Sequence, residues 1–235
     1  MKSRSQPSGR RYDSTGRRAR AAATRRQIVA AAHDLFVEQG YAATAIAAVA
    51  KAAGVSGPTV YAAFGSKAGL LKVCIDIALA GDDEEAPVIA RPLARWVYAT
   101  DDPRELVERY AVMMGVLAGR AGPIYDVLVR AADAEPELSA LLVDLEGQRL
   151  KAATILASAI AERGGLPPGR TLPQARDTIW LLNAPELYVT VTARRGWSSK
   201  RYVAWARTAL IRLVLDDVID DPIPRPDLTG SDAAP

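Results

Sequence analysis

The stretch Thr44 to Phe64, TAIAAVAKAAGVSGPTVYAAF, limits what this chain can fold into more than any other. Two short apolar-periodic runs are separated by Gly54-Val55-Ser56, which is the spacing of a helix-turn-helix unit that lays its second helix in the major groove of DNA. Thr44 is the expected N-cap of the first helix, Ile46, Val49, Ala50 and Ala53 face inward, and Gly54 takes the left-handed position that ends it. Ser56 caps the second helix, where Pro58 is tolerated because the first turn has no internal partner for an N–H. Val60 and Phe64, four apart, turn to the core and leave Gly57, Thr59, Tyr61, Ala62 and Ala63 outward. An outward phenol among small residues permits close approach to a duplex, with Tyr61 reaching a phosphate and Thr59 or an alanine methyl meeting base edges.

Upstream, Thr24-Arg25-Arg26-Gln27 has capping-box spacing and predicts the start of the preceding helix. Ile28, Ala31, Ala32, Leu35 and Phe36 then recur at helical spacing up to a stop at Gly40. Before Thr24, residues 1–23 are mostly Ser, Gly, Pro and Arg with too little apolar surface to offset ordering entropy, which predicts a disordered arm. Residues 1–26 carry nine basic side chains against Asp13 alone, a local balance of +8, so the other 209 residues of this +3 chain are net −5. A basic arm on a mildly acidic body points to a polyanion reached from one end, and Arg17, Arg18, Arg20 and Arg25 abut the helix-turn-helix where phosphates and the minor groove would lie.

Composition narrows the alternatives. The 49% apolar content is ample for a core. The most apolar stretch, Leu70 to Ala80, is short of the roughly 18 to 20 residues needed to span a bilayer and contains Lys72 and Asp76, so no membrane partner is expected. The basic N-terminus has no apolar segment behind it, and the expectation is a cytoplasmic protein. With one cysteine, Cys74, and one histidine, His33, neither an intrachain disulfide nor a soft-ligand metal cluster can be built. The acids Asp126, Glu146 and Glu186 follow no pattern that puts two of them on one wall, and no phosphate-binding loop appears; no catalytic residue, cofactor or metal is expected.

Residues 24 to 71 closely resemble the N-terminal domain of the tetracycline-repressor (TetR) family of bacterial transcriptional regulators. The matching positions are Ile28, Ala31, Leu35, Phe36, Gly40-Tyr41, Thr44, Ile46, Val49, Ala50, Ala53-Gly54-Val55-Ser56, Thr59, Val60, Tyr61, Phe64, Lys67 and Leu70-Leu71. The resemblance implies an all-α chain with a three-helix helix-turn-helix domain and a larger helical domain for ligand binding and dimerisation. It implies a homodimer on a double-stranded, palindromic operator, released by a small-molecule inducer. Family phosphate contacts map onto Thr44, Tyr61 and Lys67, and base-edge contacts onto Ser56, Gly57 and Thr59. Where family members often carry a basic or imidazole residue in the two positions after the tyrosine, this chain has Ala62 and Ala63, which leaves a low-specificity architectural DNA-binding protein as the alternative.

The body is expected over 72–220 and a disordered tail over 221–235. Helix 4 should run from Lys67 to Ala80, followed by an acidic turn from Gly81 to Pro87 and a short element over 92–100. Further helices are expected from Asp102-Pro103 to about Arg120, from Gly122-Pro123 to about Ala134, and from Pro136 to about Arg163. After the loop Gly164 to Gly169, Leu172–Arg195 and Ser198–Val218 read as two terminal helices with surplus apolar surface. That surplus suggests a four-helix subunit interface formed by Leu187, Val191, Tyr202, Ala206, Ala209, Leu210 and Leu213. Pro185 would free the Leu181 carbonyl beside Asn183 and Glu186, a polar kink that suits a ligand pocket or plain packing equally. Trp96, Met113, Met114, Tyr125 and Trp180 would make adaptable pocket walls, although such residues at helical spacing also serve simply as core.

Overall fold

The computed structural model describes residues 14–82 and 87–216. These residues form helices and no strand: α1 (Ser14–Ala43), α2 (Ile46–Ala52), α3 (Gly57–Phe64), α4 (Lys67–Ala80), α5 (Pro92–Tyr98), α6 (Pro103–Ala132), α7 (Pro136–Glu162), α8 (Leu172–Leu182), α9 (Pro185–Val189) and α10 (Ser199–Leu210). A 3-10 turn, Val88–Ala90, precedes α5, and π turns over Thr190–Arg194 and Ile211–Leu215 continue α9 and α10.

The helix-turn-helix forms where the sequence puts it. Ser56 accepts the Thr59 N–H at 3.3 Å to cap α3, and Ser66 accepts the Gly69 N–H at 2.9 Å to cap α4. Gly54, at φ 68°, supplies the left-handed residue of the turn. Gly40, at φ 80° and ψ 170°, breaks the regular part of α1, and one further turn to Ala43 follows.

Several boundaries differ from expectation. α1 begins at Ser14 and not at Thr24, because the Arg- and Ala-rich run from Arg17 to Ala23 consists of good helix formers with no interruption. The disorder expected for 14–23 is therefore absent; residues 1–13 of the arm and the tail 221–235 lie outside the described residues. α6 is one helix, without the expected break at Gly122-Pro123. Packing overrides the proline there: α9 lies so close that a Cβ on Gly122 would sit 3.2 Å from Val189 Cγ2. Conversely, the segment from Leu172 onward is two helices, because Pro185 occupies the first turn of α9 and not the middle of a longer helix. The Leu181 carbonyl is not freed, since it accepts the Ala184 N–H at 3.3 Å.

Two cores result. The first joins Ile28, Ala32, Phe36, Val49, Val60, Leu70 and Leu71 of α1 to α4 with Ile124, Tyr125 and Leu128 of α6 and Leu138 and Leu145 of α7. The second joins Val97 of α5, Leu106, Tyr110 and Met114 of α6, Leu156 and Ile160 of α7, Ile179 of α8, Tyr188 of α9 and Tyr202, Ala206 and Leu210 of α10. α6 and α7 thus run through both. α6 also exceeds the apolar length read from the sequence: an 18-residue window of it, of mean hydropathy 1.3, meets the length and composition of a spanning helix. That window is 56% buried, because its apolar side chains feed the two cores.

Candidate nucleic-acid interface and effector cluster

On α3 the division between core and surface is sharp. Val60 is 1% exposed and Tyr61 53% exposed. Ser56, Thr59, Ala62 and Ala63 are also exposed, and a Cβ on Gly57 would meet nothing within 4 Å. The Ser56 and Thr59 hydroxyls bond to each other at 2.8 Å, which presents them as one unit at the start of the helix. The outer face of α3 is therefore small, weakly polar and unobstructed around one phenol.

The remaining candidates divide into surface groups and scaffolding. Arg18 and Arg20 lie exposed on the first turns of α1; the Arg17 side chain is outside the described residues. Arg25 is tied to the recognition helix, its guanidinium 4.6 Å from the centre of the Phe64 ring and Nη1 donating to the Ala63 carbonyl at 3.2 Å. A cation at the C-terminal end of α3 complements the helix dipole. Lys67 Nζ donates to the carbonyls of Tyr41 and Thr44 at 2.8 and 3.2 Å and lies 4.1 Å from the centre of the Tyr41 ring, so only its third proton is left for a phosphate.

Thr44 requires correction. It is 0% exposed and does not cap α2, whose N-cap is Ala45. Its hydroxyl points at the carbonyls of Gly40 and Leu35, at 2.8 and 3.1 Å, and its N–H is taken by the Tyr41 carbonyl. Thr44 fixes the bend between α1 and α2 and presents no atom to DNA in this structure.

In the body the predicted pocket residues separate. Trp96 lies exposed on α5 with Arg109 5.2 Å from its ring centre, while Met113 and Met114 are core. Tyr125, Trp180, Asn183 and Glu186 do come together, around a residue that the sequence does not single out, Arg149 of α7. Its Nη1 pairs with Glu146 at 2.6 Å, its Nη2 donates to the Trp180 carbonyl at 2.8 Å, and its guanidinium is 5.2 Å from the centre of the Trp180 ring. Glu146 also accepts the Tyr125 hydroxyl, and Asn183 donates to the Tyr110 hydroxyl at 3.1 Å. Burial, then the Glu146 hydrogen bond and the charges of Glu146 and Glu186, push the Tyr125 hydroxyl well above the usual phenol value. Burial does the same to Tyr110. Both phenols are therefore neutral, Tyr125 donating to Glu146 and Tyr110 accepting from Asn183. Three buried atoms of this cluster find no hydrogen-bond partner among the described residues: Arg149 Nε, Trp180 Nε1 and Glu186 Oε2. Two donors and one acceptor left unpaired in the interior are costly unless something else satisfies them. The only sequence signal for Arg149 is its place on the inward stripe of α7, four residues after Leu145.

The seven residues expected at a subunit face differ in burial. Tyr202, Ala206 and Leu210 are buried in the chain's own second core, with Tyr202 edge-on to Tyr188 at 5.0 Å. Leu187, Val191 and Ala209 are half-buried, and Leu213 alone of the seven is exposed. Part of the apolar surface of the terminal helices packs within the chain, α8 against α7 and α9 and α10 against α6, while Leu181, Trp205 and Leu213 stay exposed.

Comparison with known proteins agrees with this architecture. Residues 28–74 match the family described as bacterial regulatory proteins, tetR family. No curated protein matches the sequence. A TetR-family transcriptional regulator of Syntrophomonas wolfei superposes with TM-score 0.67 at 16% identity, over 85% of this chain and 99% of that one. NalD, the secondary repressor of the MexAB-OprM multidrug efflux pump in Pseudomonas aeruginosa, gives 0.63 at 20% identity, over 84% and 100%. A transcriptional regulator of Saccharomonospora viridis in complex with choline gives 0.63 at 16%, over 83% and 100%. At these identities the likeness is one of fold. The chain thus matches the tetR family model over residues 28–74 and shares the all-α fold of solved TetR-family transcriptional regulators.

Proposed function

We propose that the protein is a homodimeric repressor that reads a palindromic operator through α3 and is released by a small-molecule inducer bound in its body. The observation that carries the DNA reading is the bare outer face of α3, with Tyr61 exposed amid Ser56, Gly57, Thr59, Ala62 and Ala63. In this reading Tyr61 and the third proton of Lys67 hold phosphates, Ser56, Gly57 and Thr59 approach base edges, and Arg17, Arg18, Arg20 and Arg25 add salt-sensitive affinity. The inducer reading rests on the cluster around Arg149. A ligand offering acceptors to Arg149 Nε and Trp180 Nε1 and a donor to Glu186 would satisfy all three unpaired atoms. Release then follows as a population shift, limited by the inducer's differential affinity for the two states. NalD, which shares the fold, is a repressor, and the S. viridis regulator holds a small organic ligand.

Selection of random duplexes by the purified protein at about 0.15 M salt tests the reading. A two-fold symmetric motif with half-site centres about one helical turn, or a small multiple, apart is the expected result. Because Ala62 and Ala63 offer no bidentate readout, diffuse enrichment without symmetry would favour the alternative, a low-specificity architectural binder relying on its basic arm.

A further inference from the structure

A cavity of about 630 Å³ lies where α1, α4 and α6 meet, a size common among small-molecule sites. Its apolar walls are Val29 and Ala30 of α1 and Cys74, Ile77 and Ala78 of α4, positions that share one face of each helix. Val29 and Cys74 are buried in the first core, whereas Ala78 is half-buried and Ala30 exposed. The space exists because Ala30 and Ala78 stop at Cβ, and a long side chain at either position would fill it. No residue of the Arg149 cluster lines this cavity.

The charged groups around it are not equivalent. Arg26 and Asp82 have partners of their own, Asp82 with Arg91, and Asp34 lies 3.2 Å from His33 Nδ1. Arg120 of α6 has no acid: among the described residues its one hydrogen bond runs from Nη2 to the Leu79 carbonyl, at 3.3 Å. Gly81 makes room for it, since a Cβ on this left-handed residue would collide with Arg120 Nη1. The guanidinium is thus seated on the carboxyl end of α4, where the helix dipole favours a cation, with one of its five N–H groups used. Neutral groups hold it at the edge of an apolar space, and its charge is left unmatched.

We propose that this cavity binds an apolar monocarboxylate, such as a medium-chain alkanoate, with its tail between Ala30 and Ala78 and its head on Arg120. A carboxylate meets a guanidinium fork with two parallel N–H···O bonds, and one unmatched cation calls for one negative charge. The tail leaves water for the walls of α1 and α4. A small inorganic anion would leave those walls bare, and a neutral alcohol would leave Arg120 without a counter-charge. The site is separate from the effector cluster around Arg149 and depends on neither that cluster nor an operator. Ile28 and Ala32 of α1 and Leu70 and Leu71 of α4 share the first core with Val60 of α3, so an acid held between these helices lies beside the helix-turn-helix.

Isothermal titration calorimetry of the full chain with decanoate, below its micellar concentration, tests the proposal. One equivalent should bind, with decanol about tenfold weaker for want of the charge-assisted pair. Arg120→Gln should bring decanoate down to the decanol value and leave decanol itself unchanged, and Arg120→Lys should recover part of the loss. Ala78→Trp, and Ala30→Leu as a milder filling, should remove binding of both compounds with the far-UV circular dichroism unchanged. Cys74 is the chain's one thiol and stands in the cavity wall, so decanoate should slow its labelling by a small methanethiosulfonate in the wild type and have no effect in Ala78→Trp. Decanoate that does not bind, that binds no better than decanol, or that binds the two filled variants as well as the wild type would overturn the proposal. So would binding lost in Arg149→Gln and kept in Arg120→Gln, which would put the acid in the buried cluster. Decanoate binding as expected in a protein that selects no DNA would overturn only the repressor reading.

Discussion

Tyr61 and Thr44, equivalent in a sequence comparison, make opposite predictions once their surroundings are known. Tyr61→Phe removes an exposed hydroxyl and should weaken binding to a selected operator by about 1.5 kcal/mol, close to tenfold, with unchanged melting. Thr44→Val keeps the shape but strips the partner from two inward carbonyls, so it should cost about 1 to 3 kcal/mol in a denaturant titration. Operator affinity of the folded Thr44→Val protein should stay near wild type in a filter-binding assay. A third residue-scale expectation concerns alkali. Burial pushes the Cys74 thiol up to about 12, and likewise the Tyr98 and Tyr202 phenols. An acid group whose folded value is raised contributes stability that is whole below its unfolded value and falls as pH rises through the window between the two. Thermal melts should thus be flat to about pH 8, just below the value of about 8.5 at which the unfolded thiol is half ionised. They should fall progressively towards pH 12, less steeply in Cys74→Ala. The outward set on α3 is legible in the sequence because caps, turn glycine and the Val60–Phe64 spacing are all local. Thr44 is not, because a buried hydroxyl in a bend has the same local sequence as an N-cap, and only the carbonyls of Leu35 and Gly40 distinguish them.

At the scale of elements, α2, α3, α4 and α7 are readable from start and stop signals, while α6 and the α8–α9 break are not. Pro123 and Pro185 look alike in the sequence; one is overridden by close packing at Gly122 and the other begins a helix. The buried cluster is half legible. The proline kink and the aromatic pattern point to Tyr125, Trp180, Asn183 and Glu186, but Arg149 lies far from any such punctuation, and a charged residue on a long helix reads as outward. Ser66 joins two elements at once: its hydroxyl caps α4 and donates to Glu137 of α7 at 2.9 Å. Ser66→Ala should therefore cost about 1 kcal/mol for the missing cap in a urea melt. Glu137→Gln keeps an acceptor and should cost less. Equal losses in the two variants would show that the cap is worth little beside the link.

For the molecule as a whole, the basic end should govern how binding responds to salt. Deleting residues 1–20 removes seven cations, Arg18 and Arg20 of α1 among them. The slope of log affinity against log salt should flatten by about one for each phosphate that the shortened chain no longer neutralises, and an unchanged slope would show these charges to be idle. The division into a DNA-binding unit and a body follows the chain less closely than the charge does. Ile124, Tyr125 and Leu128 of α6, with Leu138 and Leu145 of α7, lie in the same core as the helix-turn-helix. Recombination at residue 71 would seat a foreign domain on a floor shaped for this one, and a working chimaera would have to import those five side chains as well. On the proposed function, operator preference and effector response would in that sense be inherited together, since the residues beneath α3 stand on the same two helices that carry Tyr125, Glu146 and Arg149.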